Sequence, residues 1–454
     1  MRPNDRTTAH RSTGRERRPG RAAAAVLCGA ALCCSAPALS AAPALAAAAH
    51  PGDAAWPVLP ARDGWASAGG GTTGGADADA AHVFTVRTRG ELVRALGDGD
   101  PTPRVIRVAG TIDANTDDRG RPLDCADYAT DGYSREGYLK AYDPATWGRE
   151  ELPSGPMEEA RAASAARQAE RVKLSVGPNT TILGTGRNPR LLGGTLQIKG
   201  VDNVVVRELT FEDAYDCFPQ WDPTDGADGA WNSEYDNLVV HGSTHVWVDH
   251  NTFTDGRRPD SGQPHYFGQL FQQHDGELDV VRGADLVTVS WNVFADHDKT
   301  VLIGNSDSAG DTDRGRLRVT MHHNLFRDIV ERAPRVRFGQ VDVYNNHHVV
   351  PASGYAYSWG VGVESRLYVE ANAVTLPTPV DPAQVIKGWK GTVLTERNNR
   401  VNGSLTDLLG LHNAAVPEEE LGDDVGWRPV LRTRVDHPRL VPHIVEEGAG
   451  AGRG

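Results

Sequence analysis

The chain has 454 residues, 39% hydrophobic and 24% charged, with a formal net charge of −13. Acidity on that scale argues against a nucleic-acid partner, and the length exceeds what one compact hydrophobic core usually organises. A fold whose core extends in one dimension escapes that limit.

Residues 1–46 read as a secretory signal peptide, so a secreted, extracellular protein is expected. Seven arginines stand against Asp5 and Glu16 in residues 1–21, and an uncharged Ala/Leu/Val/Cys stretch leads to the small-residue cleavage site Ala44-Leu45-Ala46. Pro37, Pro43 and weak hydrophobicity argue against a membrane anchor. Arg17-Arg18 leaves twin-arginine export open beside the general route. Removing the leader leaves a net charge of −18 and two of the five cysteines. In an oxidising compartment Cys125 and Cys217 are expected to form one disulfide, the alternative being two buried thiols.

Residues 47–81 read as an N-terminal extension, rich in Gly, Thr and Asp over 69–81. A strand at 83–86, an amphipathic helix near 91–96 and a strand at 105–108 follow, and the helix is placed to cap the end of a stack. Residues 115–171 are polar and partly helical, an excursion over one face.

An eight-residue phrase then recurs. It reads VWVDHNTF from Val246, VTVSWNVF from Val287 and VTMHHNLF from Val319, and weakens to VDVYNNHH from Val341 and LYVEANAV from Leu367. A degenerate first copy, VVVRELTF, starts at Val204, and a last trace ends at Asn398. Alternating apolar residues make each copy a short strand with one buried face. The Asn after it suits a turn, and stacked copies would bond these amides into a ladder. The Asn intervals are 41, 32, 22, 26 and 26 residues, and the excess in the two longest is accommodated by polar stretches at 256–273 and 306–315. This predicts an all-β solenoid of parallel strands over 82–445; a β-sandwich, the alternative, seldom holds one phrase in register. Residues 446–454 are expected to be a flexible tail.

The Asn column serves as a ruler. Asp236 lies 15 residues before Asn251, Asp279 lies 13 before Asn292 and Arg332 lies 14 before Asn346. Lys299 lies 25 before Asn324, or 15 without the ten-residue insertion. Four charged residues on four successive coils therefore share nearly one column, spanning roughly 14 Å along the axis. The turn dipeptide Asp275-Gly276 can fold Asp275 back toward Asp279. Three carboxylates converging from two coils suit Ca²⁺, which takes six to eight oxygens. The histidines at 250, 265, 274, 297, 322, 323, 347 and 348 follow the coil repeat and read as polar strand-end residues rather than a zinc or copper site. Asp249 is expected to be a buried hydrogen-bonding group, and Trp247 to pack under a loop.

The run from Val172 to about Asn346, a little under half of the mature chain, resembles the pectate lyases of polysaccharide lyase family one, closest to the secreted calcium-dependent bacillus type. The likeness rests on VWVDH at 246–250, QQHDGELDV at 272–280, FADHDKTVLIG at 294–304 and ERAPRVRFGQ at 331–340, with FPQWDPTDG at 218–226 and WNSEYDN at 231–237. A weaker echo is GWASAGGGTTGG at 64–75. The resemblance implies a right-handed parallel β-helix, and a lyase that cleaves de-esterified galacturonan by β-elimination. It also implies Asp236, Asp275 and Asp279 as calcium ligands, Arg332 as the proton-abstracting base, and Lys299 and Arg337 as substrate-binding residues. Asp225 matches a further ligand for calcium ions that arrive with substrate. A monomer acting on the polygalacturonate (pectate) chain, with no membrane or nucleic-acid partner, is expected. Three rival readings remain: a pectin lyase on methyl-esterified polymer, which needs no calcium; a polygalacturonase, which needs paired carboxylates; and a non-catalytic binding solenoid.

Overall fold

The computed structural model describes residues 56–454, so the expected signal peptide at 1–46 lies outside the described residues. The chain winds into parallel coils: two strands of each coil join an 18-stranded sheet, and the third joins an 8-stranded sheet. The recurring phrase is in register throughout. Val204, Val246, Val287, Val319, Val341, Leu367 and Leu394 face one another on successive coils, all of them fully buried. This is the parallel β-helix that the repeat predicts, with the right-handed sense that crossover connections between parallel strands strongly favour.

The conserved positions of the phrase become two internal stacks. Each ladder Asn donates from Nδ2 to Oδ1 of the next, from Asn251 through Asn292, Asn324, Asn346 and Asn372 to Asn399, at 2.9–3.1 Å. The last rung is thus Asn399, not Asn398. The turn also differs from expectation, because the left-handed residue is the one before the ladder Asn. His250, Trp291, His323, Asn345, Ala371 and Asn398 all have φ between 50° and 55°. The turn and the ladder need different backbone geometries, so two neighbouring residues divide the work. The closing Phe of the phrase stacks Phe211, Phe253, Phe294 and Phe326 at 4.9–5.0 Å, and His348 extends the column. Burial pushes the pKa of His348 down to about 3, so it stacks as a neutral ring.

Asn292→Ala is expected to cost about 3–5 kcal/mol, because it orphans buried donors and acceptors on both neighbouring coils. Asn292 accepts from the Asn251 backbone and amide and donates to Val248 O and Asn324 Oδ1. Urea unfolding measures this, and a loss under about 1 kcal/mol would show that the ladder does not hold the coils together.

The N-terminal end of the stack is closed by the helix Arg89–Leu96, started by a Thr88/Glu91 capping box; Leu92, Ala95 and Leu96 enter the core. The excursion at 115–171 forms the helices Cys125–Tyr128, Arg135–Ala141 and Pro156–Val172. Cys125 and Cys217 are bonded. Tyr138, Tyr142, Trp221, Trp231 and Phe271 form an aromatic cluster that ties the excursion to the hairpin Gln220–Asp222/Ala230–Asn232.

Both terminal segments lie along the 18-stranded sheet. Trp65 and Ala66 donate to Thr320 and Thr288, and Gly75 donates to Thr181. At Gly74 (φ +53°) a Cβ would lie 2.3 Å from Thr181 Oγ1, so only glycine allows that approach. Trp247 is buried under this strap with Leu59, Ala66 and Val205. Residues 446–454, expected as a flexible tail, instead complete the helix Val441–Gly448 and follow a defined path. Gly450 donates to Trp291 O and Ala451 to Thr252 Oγ1. Their small side chains let the backbone reach the sheet. Among the described residues no helix is long and apolar enough to cross a membrane.

Candidate active site on the eight-stranded sheet

Asp236 precedes the strand Leu238–His241, and Asp275 and Asp279 flank the start of Leu278–Val281 on the next coil. Lys299 ends the strand Val293–Lys299, and Arg332 follows Leu325–Glu331. Strict register differs from the ruler's single column. Leu238 faces Leu278, which puts Asp236 opposite Gly276, whereas Asp279 faces Val239 and Leu302 three positions further on. Asp236 and Asp279 still approach each other at Gly276, because the Asp275-Gly276 turn brings the two coils close, but the three aspartates do not close into a shared-ion cluster. Gly276 N–H donates to Asp236 Oδ1 at 3.0 Å. A Cβ on residue 276 would stand 2.6 Å from Asp236 Oδ1 and 3.0 Å from Asp279 Oδ1. The glycine therefore keeps open a cradle between two carboxylates.

Lys299 Nζ lies 3.3 Å from Asp275 Oδ1. Arg332, left-handed at φ 64°, donates from Nε to Glu331 at 2.9 Å. The pairing shifts by one residue between Lys299↔Glu331 and Leu302↔Arg335, so residues 332–334 accommodate one extra residue on the cleft rim. Arg337 stands apart from the carboxylates, held by Asp307 at 2.6 Å and donating to Gly304 O at 2.8 Å. Asp225 is exposed between the strands of the 220–232 hairpin, with no contact that ties it to the cluster.

The electrostatics mark an unneutralised acidic pair. Burial, then Asp279 and Asp275, push Asp236 well above the ordinary carboxylate range. Burial, then Asp275, push Asp279 up to about 7 against the pull of Arg332 and Lys299. Burial works to lower the pKa of Arg332, but Glu331, Tyr357, Asp275 and Asp279 outweigh it and hold the pKa above its usual value. Two half-buried carboxylates that meet only backbone donors, Gly276 and Leu302, present an all-oxygen donor set suited to a hard divalent cation.

A second acidic group is of another kind. Asp255, Asp260 and His274 lie close enough to share an ion. His274, however, bonds Asp260 at 2.8 Å through Nδ1 and Asp213 at 3.1 Å through Nε2. Despite burial, those two bonds push it up to about 9, so it is an imidazolium with no lone pair to offer. His297 bonds Asp255 at 2.7 Å and the Asp275 carbonyl at 2.8 Å, which anchors the Asp275 turn from below. The partners of this supporting pair of histidines, and Tyr357 beside Arg332, escape the sequence, because they come from coils with no common spacing. Asp249 is buried as expected, bonded to Arg207, His250 and Ser290.

Open on the sheet face, this arrangement can take an anionic chain along the stack, neutralise a carboxylate and place a nitrogen base beside it. Comparisons with known proteins point the same way. A family model described as "Pectate lyase" matches residues 37–127 and 156–416. The "Pectate lyase" of Bacillus subtilis (strain 168) is 45% identical over 411 residues, covering 89% of this chain and 95% of the relative. "Pectate lyase E" of Dickeya dadantii (strain 3937) is 36% identical, covering 77% and 78%. A solved "Pectate lyase bound to hexasaccharide" superposes with a TM-score of 0.84 at 43% identity, covering 88% of this chain and 99% of that one. The pectate lyase of Acidovorax avenae subsp citrulli gives a TM-score of 0.81 at 33% identity, covering 89% and 98%.

Proposed function

Since the chain belongs to the pectate lyase family and is a polysaccharide lyase, we propose that it is a secreted, monomeric, calcium-dependent enzyme that cleaves polygalacturonate by β-elimination. The observation that carries this reading is the pair of half-buried, unneutralised carboxylates Asp236 and Asp279 facing Lys299 and Arg332 across the Asp275 turn.

Asp236, Asp275 and Asp279 would hold the ion. Calcium, when bound, supplies a positive charge that offsets the uronate carboxylate and the enediolate character developing beside it. Lys299 contributes a second positive charge to the same carboxylate, and Arg337, fixed by Asp307, orients a neighbouring unit. Arg332 takes the proton from carbon 5. The C5–H electron pair becomes the C4=C5 double bond, and the C4–O pair leaves with the glycosidic oxygen. To accept a proton, Arg332 must first be neutral, and Asp275 and Asp279 oppose that while they are ionised. Ligation of those carboxylates weakens that opposition.

Incubation with polygalacturonate and calcium is expected to release unsaturated oligogalacturonates that absorb in the ultraviolet, and chelation is expected to abolish this. Activity that survives chelation and prefers methyl-esterified polymer would replace this reading with a pectin lyase.

A further inference from the structure

The outward column that holds Asp279 continues past Arg332. Asp279, Leu302, Arg335, Gly360 and Lys387 face one another on five successive coils. At its far end the sheet turns basic and aromatic. Trp389 is one of few large apolar side chains that are 36% or more exposed. The Arg335 guanidinium sits 4.3 Å from the Trp389 ring centroid, and Lys387 Nζ sits 5.8 Å from it. Gly360 makes this possible, since a Cβ there would lie 3.0 Å from Arg335 Cγ.

The charges around Arg335 are unequally compensated. Arg332 has Glu331, Arg337 has Asp307 and Lys387 has Glu419. Among the described residues Arg335 pairs with no carboxylate, and its Nε is buried without a hydrogen-bond partner. An exposed indole that braces an uncompensated guanidinium beside a lysine suits a sugar acid, whose ring packs on the aromatic edge while its carboxylate meets the cations. The patch is continuous with the proposed cleft, and its charge is opposite to that of the polymer.

We propose that Lys387, Trp389 and Arg335 form a distal uronate-binding subsite. It takes a unit of the same polygalacturonate chain four strand steps, roughly 19 Å, beyond Asp279. Trp389 acts there as a positioning residue for Arg335. The proposal rests on the function given above, and it makes chain length the variable that this end of the cleft senses.

The test compares wild type, Lys387→Gln, Trp389→Ala and Trp389→Phe on galacturonate oligomers of rising length and on polygalacturonate with calcium, followed by ultraviolet absorbance. Lys387→Gln and Trp389→Ala are expected to lower kcat/KM on the polymer about tenfold through KM, the cost of one charge-assisted contact. Their kcat/KM should stop rising at a shorter oligomer than in wild type, and Trp389→Phe should recover most of the loss. An equal loss at every chain length, or no loss on the polymer, overturns the subsite while wild-type turnover leaves the lyase reading intact. A wild type that yields no unsaturated product at any length overturns both.

Discussion

Arg332→Ala is expected to lower kcat on polygalacturonate about a thousandfold, the middle of the range for a positioned general base. KM should change little, since Lys299, Arg337 and the carboxylate cradle stay in place. The fold should also be unaffected, because among the described residues the side chain of Arg332 pairs only with its neighbour Glu331. An unchanged circular dichroism spectrum would separate lost chemistry from lost structure. Arg332→Lys should remain far below wild type, since a compact ammonium on a different stem does not reproduce the guanidine's reach. The pH profile gives a second reading of the same residue. A base held protonated by Glu331, Asp275 and Asp279 is active only in its minor neutral form, so wild-type kcat should climb with pH into the alkaline range. An Arg332→Ala enzyme that keeps a tenth of wild-type kcat would end its assignment as the base.

The repeat makes most of this architecture legible before any coordinates. Its alternation fixes which residues face the core and its Asn marks the ladder, whereas the stacking of its closing Phe emerges only from the structure. Those signals are local and recur on every coil. What stays hidden has no such recurrence. A ruler counted from Asn251 assumes equal arcs on every coil, but the 332–334 rim accommodates one extra residue and the turn at Asp275 is tight. The count puts Asp279 level with Leu238 and the register puts it opposite Val239, one position off and three from Asp236, yet the same turn brings it back to Asp236. Asn398 and Asn399 are indistinguishable in sequence, and only the left-handed φ of Asn398 identifies which of them turns and which bonds. The terminal straps are illegible for another reason: the backbones of Gly74, Trp65 and Gly450 meet the sheet through a few hydrogen bonds, to Asn203, Thr320 and Trp291 O, that follow no pattern.

The carboxylate cradle makes a prediction in which activity and stability move in opposite directions. Asp279→Ala is expected to abolish the calcium response and lower activity at least about a hundredfold, because a half-buried carboxylate of the proposed ion site is lost. Without calcium, the same variant should be more stable than wild type at pH 8. The sign follows from the raised carboxyl groups. Asp279 titrates near 7 in the folded chain and near 3.8 when free, and Asp236 is shifted the same way. Folding thus favours the protonated forms, so the stability they contribute is complete below the ordinary carboxylate pKa and is lost as pH rises toward 7. In wild type the thermal midpoint without calcium should fall over that window. Calcium should then raise it more at pH 8 than at pH 5, since the ion replaces the missing protons. Asp279→Ala removes one of the two like charges and with it the pH-dependent loss. Melting curves for both proteins, with and without calcium at the two pH values, test this directly. A calcium shift that is equal at both pH values, or that survives in Asp279→Ala, would show that the ion binds elsewhere than in this cradle.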